Sequence, residues 1–191
     1  MTDVLPIARA PIPRLLAGRP LVLRALAVLA LSWVMAAGSW AEVPMFPVPM
    51  TLQTLALFAI AGLAGMRMTF EVVLVWLAQA ALGLPVLAGG ASGLEAFAGP
   101  TGGYLIGMLV AGPLAGGLAE RLPAVRLTAV FLVCHLIVLA FGWAWLAGQV
   151  GAAAAWKDGV SPFLMGALVK SVLAAGVVLL AEVALARKRA A

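Results

Sequence analysis

FLMGALVKSVLAAGVVLLAEVALA, residues 163–186, is an unbroken apolar run long enough to cross a hydrocarbon core, which needs about 20 residues, and it carries Lys170 inside it. Lys170 lies seven residues after Phe163. At about 1.5 Å of rise per residue this sets it roughly 10 Å below one membrane face. No acid lies within a turn of it on that helix. An ionisable side chain at such depth is costly, which predicts that it faces the interior of a helical bundle and meets a partner there. The plainer alternative is that its four-carbon stem reaches back to the interface.

The rest of the chain has the same character. It is 65% hydrophobic and 10% charged, with a mean hydropathy of +1.15, far outside the range of soluble globular domains. Six stretches approach spanning length: 21–40, 51–66, 69–85, 102–119, 125–147 and 163–186. The second and third form one hairpin, because Gly65, Arg67 and Thr69 break an otherwise continuous apolar run. The expected fold is an all-α membrane protein of six transmembrane helices, a single domain over 1–191 whose first twenty residues are a basic cytoplasmic segment.

A net charge of +5 and a pI near 10.4 would suggest nucleic acid in a soluble protein, but the positions of the charges give another explanation. Arg9, Arg14 and Arg19 precede the first span, Arg67 sits in the hairpin turn, Arg121 and Arg126 separate spans four and five, and Arg187, Lys188 and Arg189 end the chain. With six spans these all fall on one side, while the opposite connections hold only Lys157. The positive-inside rule then places both termini in the cytoplasm, and no nucleic-acid partner is needed. Cys134 is the only cysteine, which excludes an intrachain disulfide and a thiolate metal cluster. Basic residues, an apolar run and Ser39-Trp40-Ala41 together resemble a signal peptide. The run is long for such a segment and Trp40 suits an interfacial belt, so a retained first span is expected.

The outer connections carry the unusual chemistry. Residues 42–50 hold Pro44, Pro47 and Pro49, which stiffen the segment. Thr51 follows as a helix cap, with Gln53 and Thr54 in the first turn of span two. Residues 84–101, LPVLAGGASGLEAFAGPT, are too apolar and glycine-rich to lie in water, and are expected to fold back among the helix ends. Span four starts at Thr101-Gly102-Gly103-Tyr104, with Thr101 as cap and a phenol just inside. Gly103 with Gly107 and Gly112 with Gly116 make two GxxxG pairs suited to close helix packing. Ser161-Pro162-Phe163 is a helix start, so span six directs its positive end outward above Lys170. A cation beneath glycine-rich loops describes a pocket for a small molecule with an anionic or strongly hydrogen-bonding group. Its candidate binding residues are Lys170, Tyr104, Thr101, Gln53, Gly89, Ser92 and Gln79. No P-loop signature is present, and few carboxylates are placed for an ion relay through the bilayer centre.

Four ordered motifs then carry a family likeness: PVPMTLQT at 47–54, GLPVLAGG at 83–90, GPTGGYLIG at 99–107 and PFLMGALVK at 162–170. They resemble the BioY family, the biotin-binding substrate components of energy-coupling-factor transporters, over about residues 25–186. The resemblance implies a multi-pass protein of the bacterial inner membrane that captures biotin from outside and carries no catalysis or cofactor. It also implies docking on one transmembrane coupling protein and two ATPases, and it is compatible with a homo-oligomer. The family's last helix usually carries Asp three residues before the Lys, where this chain has Ala167. Residues i and i+3 share a helix face, so that Asp would accept hydrogen bonds from a ligand and compensate Lys170. Its absence implies weaker binding or another acceptor, such as Gln79 or Ser92. Two other readings remain at this point. One is a stand-alone carrier for biotin or a related small carboxylate. The other is a rhomboid-like intramembrane serine protease, since Gly90-Ala91-Ser92-Gly93 matches that group's GxSG and His135 follows in a later span. Otherwise His135 reads as a core histidine bonded to a backbone carbonyl, and Trp33, Trp40, Trp143, Trp145 and Trp156 as span-end anchors.

Overall fold

Apolar runs set the positions of the helices in the computed structural model, which describes residues 10–190, with side-chain surroundings given for 10–188. Arg9 and the rest of the first nine residues, and the side chain of Arg189, lie outside what is described. The helices are α1 (Pro11–Leu15), α2 (Leu21–Trp40), α3 (Gln53–Ala81), α4 (Glu95–Ala98), α5 (Gly102–Arg121), α6 (Leu127–Val150), α7 (Ala152–Gly159) and α8 (Phe163–Ala190). Five of them, α2, α3, α5, α6 and α8, are long and apolar enough to cross a membrane. A two-stranded antiparallel ribbon, β1 (Glu42–Val43) with β2 (Met50–Thr51), closes the proline-rich connection, pairing Glu42 with Thr51 and Val43 with Met50.

Helix α3 is two helical pieces joined at Gly65, whose φ of 72° and ψ of −177° only glycine adopts readily. The carbonyl of Gly65 accepts a hydrogen bond from Thr69 Oγ1 at 2.6 Å, so the polar group at the break is satisfied in the buried interior. Both ends of α3 lie beside the C-terminal end of α2. Gln53 Nε2 donates to Ser39 Oγ at 2.6 Å, and Trp40 Nε1 donates to the carbonyl of Pro85 at 2.8 Å. Near the other end of α2, Arg24 Nη2 makes a forked contact with Glu71, 2.7 Å to Oε1 and 2.9 Å to Oε2. The chain thus descends along α2, turns at Gly65 and returns.

Helix α5 lies at the centre, and its two glycine pairs serve different neighbours. A Cβ on Gly107 would stand 2.9 Å from Val138 Cα of α6, whereas one on Gly116 would stand 2.6 Å from the carbonyl carbon of Gly65 in α3. Helix α8 divides by face. Ala167, Ser171, Ala174, Ala175, Val178 and Glu182 point inward, while Met165, Val169, Val172, Leu173, Val177 and Leu180 are exposed. Outward aliphatic side chains on every spanning helix would be a liability in water, and are what a lipid-facing surface requires.

The chamber beneath the returned loop

Residues 84–101 fold back as expected. Val86 and Leu87 are buried, the Val86 carbonyl accepts from the buried Trp76 Nε1 at 3.0 Å, and Gly93 N donates to the carbonyl of Ala80 at 2.7 Å. Beneath this returned segment lies a cavity of about 190 Å³. One water needs about 10–15 Å³ on such a measure, so the chamber is of small-molecule size. Its walls come from Val48, Pro49, Thr51, Gln53 and Thr54 around the start of α3, from Leu87, Ala88 and Ala91 of the loop, and from Thr101, Tyr104, Leu105 and Met108 of α5. His135, Val138 and Leu139 of α6 and Phe163, Ala167 and Lys170 of α8 complete it. Apolar walls with a few convergent polar groups are the composition of ligand sites.

Lys170 turns inward. Its Nζ lies in the chamber wall and donates to the backbone carbonyl of Thr51 at 3.1 Å, bridging α8 to the strand that leads into α3. Among the described residues lining the cavity it is the one with a formally charged side chain, and none is acidic. Ala167, one turn away, presents its methyl group to the same space.

Of the residues nominated from sequence, Lys170, Tyr104, Thr101 and Gln53 are brought together here. Their roles differ from expectation in two cases. Tyr104 is a wall whose hydroxyl is already committed, donating to the carbonyl of Gly159 at 2.7 Å. Its ring fits only because Gly142 opposite has no side chain; a Cβ there would overlap it. Thr101 occupies the cap position of α5 without a side-chain capping bond, and its backbone carbonyl accepts from Tyr104 N and Leu105 N instead. Thr51 is not the cap expected of it: it ends β2 and Leu52 takes the cap position of α3, although Thr51 Oγ1 accepts from Gln53 N at 3.3 Å.

Three nominations do not line the chamber. Gln79 is engaged elsewhere, its Oε1 accepting from Ser32 Oγ at 3.1 Å, a pairing between α2 and α3 that its polar side chain could not announce in advance. Gly89 and Ser92 lie in the returned loop, but their neighbours Ala88 and Ala91 are the residues that reach the cavity. A three-residue helical turn at Ala88–Gly90, with Gly89 at φ 62°, sets this phase, and sequence alone did not reveal it.

His135 is the buried core histidine expected from sequence. It does bond a backbone carbonyl, with Nδ1 3.0 Å from Phe131 O. It also lines the chamber. Nδ1 lies 2.9 Å from Ser171 Oγ as well, and Ser171 Oγ donates to the carbonyl of Ala167 at 2.8 Å. The histidine therefore pairs with Ser171, and no Ser92–His135 pair exists for a protease mechanism. The signal available in sequence was the shared depth of His135 and Ser171 in neighbouring spans, visible only once the helices are docked.

A bundle of helices long and apolar enough to span a membrane, walling a polar-tipped chamber under a folded-back loop, has the form of a membrane-embedded small-molecule carrier or receptor. The BioY family model matches residues 13–187, and the chain belongs to the BioY family. Among its relatives, "Biotin transporter BioY2" of Lactococcus lactis subsp. cremoris (strain MG1363) is 37% identical over 135 residues, spanning 69% of this chain and 74% of that protein. "Probable biotin transporter BioY" of Pyrococcus horikoshii is 37% identical over 145 residues, spanning 76% of this chain and 85% of the relative. The fold is similar to a crystal structure described as the S-component for biotin from an ECF-type ABC transporter, with a TM-score of 0.70 and 27% identity over 82% of this chain and 89% of that one.

Proposed function

We propose that this chain is a biotin uptake protein of the bacterial inner membrane, a single substrate-binding domain that captures biotin on the outer side and performs no chemistry on it. The observation that carries the reading is the chamber holding the Lys170 amine, in a chain of this family and fold. Biotin has a carboxylate and a ureido oxygen, either of which accepts from that amine. The Thr51 carbonyl accepts from Lys170, and a bound acceptor would compete for the amine. Gln53, Thr101 and the Tyr104 ring complete the proposed contacts.

The six-span reading belongs to the same proposal, with both termini in the cytoplasm. It is supported by the Gly65 break and by the bonds that tie both ends of α3 to one end of α2. The two pieces of α3, about 18 and 24 Å long at 1.5 Å per residue, are shorter than the hydrocarbon core of about 30 Å. The flanking proline-rich and glycine-rich segments make up the remaining depth on the outer side. Energy would come from a transmembrane coupling protein with two ATPases.

Calorimetry of the detergent-purified protein with biotin, desthiobiotin and biotin methyl ester tests the binding. Biotin and desthiobiotin are expected to bind, and loss with the ester alone would assign Lys170 to the carboxylate. No heat with any of the three would overturn the substrate. Uptake of labelled biotin by cells lacking the coupling ATPases tests the rest; full uptake there would make the chain a stand-alone carrier.

A further inference from the structure

Two polar side-chain atoms of the chamber residues are buried with no partner: His135 Nε2 and Thr54 Oγ1. Such atoms are uncommon in folded proteins and call for an explanation, of which an absent ligand is one. The state of the histidine follows from its other edge. The Phe131 oxygen is a carbonyl and can only accept, so Nδ1 at 3.0 Å must carry the proton. The Ser171 hydroxyl spends its hydrogen on Ala167 O, which leaves its oxygen free to accept from the same Nδ1–H. With the proton on Nδ1, Nε2 of the neutral ring is a lone pair. The opposite tautomer would set a lone pair against the Phe131 oxygen and leave a buried N–H without an acceptor.

The ring is also held in place. Phe58 packs against it with centroids 4.4 Å apart and planes tilted by 57°, and His135 is only 2% exposed. Nε2 is therefore an acceptor of fixed orientation in a chamber whose described lining residues include no carboxylate. A ligand that has only acceptors would leave it unmet. Biotin's ureido ring has two N–H donors, and one left unpaired in a dry pocket is costly.

Resting on the biotin reading above, we propose that His135 is a ligand-binding residue, its Nε2 accepting a hydrogen bond from a ureido N–H of biotin, with Ser171 and Phe131 as positioning partners that fix the tautomer. The Thr54 hydroxyl is the second unpartnered group and stands ready for the same ring.

The test is calorimetry on the purified full chain and on His135→Leu, with biotin, N1′-methylbiotin and N3′-methylbiotin as probes. His135→Leu is expected to weaken biotin by about five- to 150-fold. One of the two methylated compounds should bind the unaltered chain weakly and lose nothing further in the variant, because the bond is already gone. Biotin binding unchanged by His135→Leu, or losses that simply add for both methylated compounds, would overturn the assignment while leaving biotin as substrate. Failure of the unaltered chain to bind biotin would overturn both. If the variant does not fold, ¹⁵N-histidine resonance of the unaltered chain decides, because its single histidine makes the signal unambiguous. Nε2 should move upfield towards the protonated range on adding biotin, and a stationary signal would remove the proposal.

Discussion

Position 167 shows how one methyl group shapes the chemistry of the chamber. Ala167 and Lys170 both line it from one face of α8, and the Ala167 carbonyl holds the Ser171 hydroxyl that in turn meets His135. A carboxylate at 167 would add an acceptor on the same helix face as the amine. In the His135→Leu background, Ala167→Asp is therefore expected to recover biotin affinity by about five- to 150-fold, since it replaces the lost acceptor. In the unaltered chain the gain should be smaller, because the N–H already has a partner. Equal gains in the two backgrounds, measured by calorimetry, would show that the two positions serve different ligand atoms. At this scale the sequence was enough to bring Lys170, Gln53, Thr101 and Tyr104 to one cavity, because depth along a helix and distance from its start follow from spacing. That His135 lines the cavity and Gln79 meets Ser32 instead was not legible, because which neighbour a buried polar group meets is decided by docking between helices.

The elements were legible wherever hydropathy alone sets them. The run at 21–40 coincides with α2 (Leu21–Trp40), and the starts expected at 102 and 163 are those of α5 and α8. The short pieces were not legible. Helices α4 and α7 and the ribbon of β1 and β2 are each too brief to be stable alone, so their form comes from what they pack against. The glycine pairs of α5 were visible as a pattern, but the division of labour between α6 and α3 was not. It gives a direct prediction. On Gly116 a Cβ would stand 2.6 Å from the carbonyl carbon and 2.7 Å from the oxygen of Gly65, backbone atoms that cannot yield. Gly116→Ala should destabilise by about 1–3 kcal/mol through this overpacking. A Cβ on Gly176 of α8 meets nothing within 4 Å. Gly176→Ala should be neutral or raise stability by up to about 1 kcal/mol through helix propensity. Thermal unfolding in detergent compares the two, and equal midpoints would mean that α3 and α5 do not approach through Gly116.

For the molecule as a whole, the chamber lies at the opposite end from the Gly65 turn and the cluster of Arg24, Arg67 and Glu71. The chamber is walled by residues around the starts of α3, α5 and α8 and by the returned loop, with α7 and its exposed Lys157 at the same end through the Tyr104–Gly159 bond. Arg67 lies two residues from the Gly65 turn, exposed and 3.3 Å from Glu71, which also holds Arg24. If basic ends stay in the cytoplasm, the chamber opens outward, as capture of a scarce external solute requires. The lone buried Cys134 makes this measurable, since Cys134→Ala supplies a background without thiols. In intact cells a membrane-impermeant maleimide should label Lys157→Cys and leave Arg67→Cys unlabelled until the membrane is opened. Adding biotin should leave both patterns unchanged, because neither residue lines the chamber. Labelling of Arg67→Cys and not of Lys157→Cys from outside would mean that the bundle sits the other way up, with the Gly65 turn outside and the chamber facing the cytoplasm.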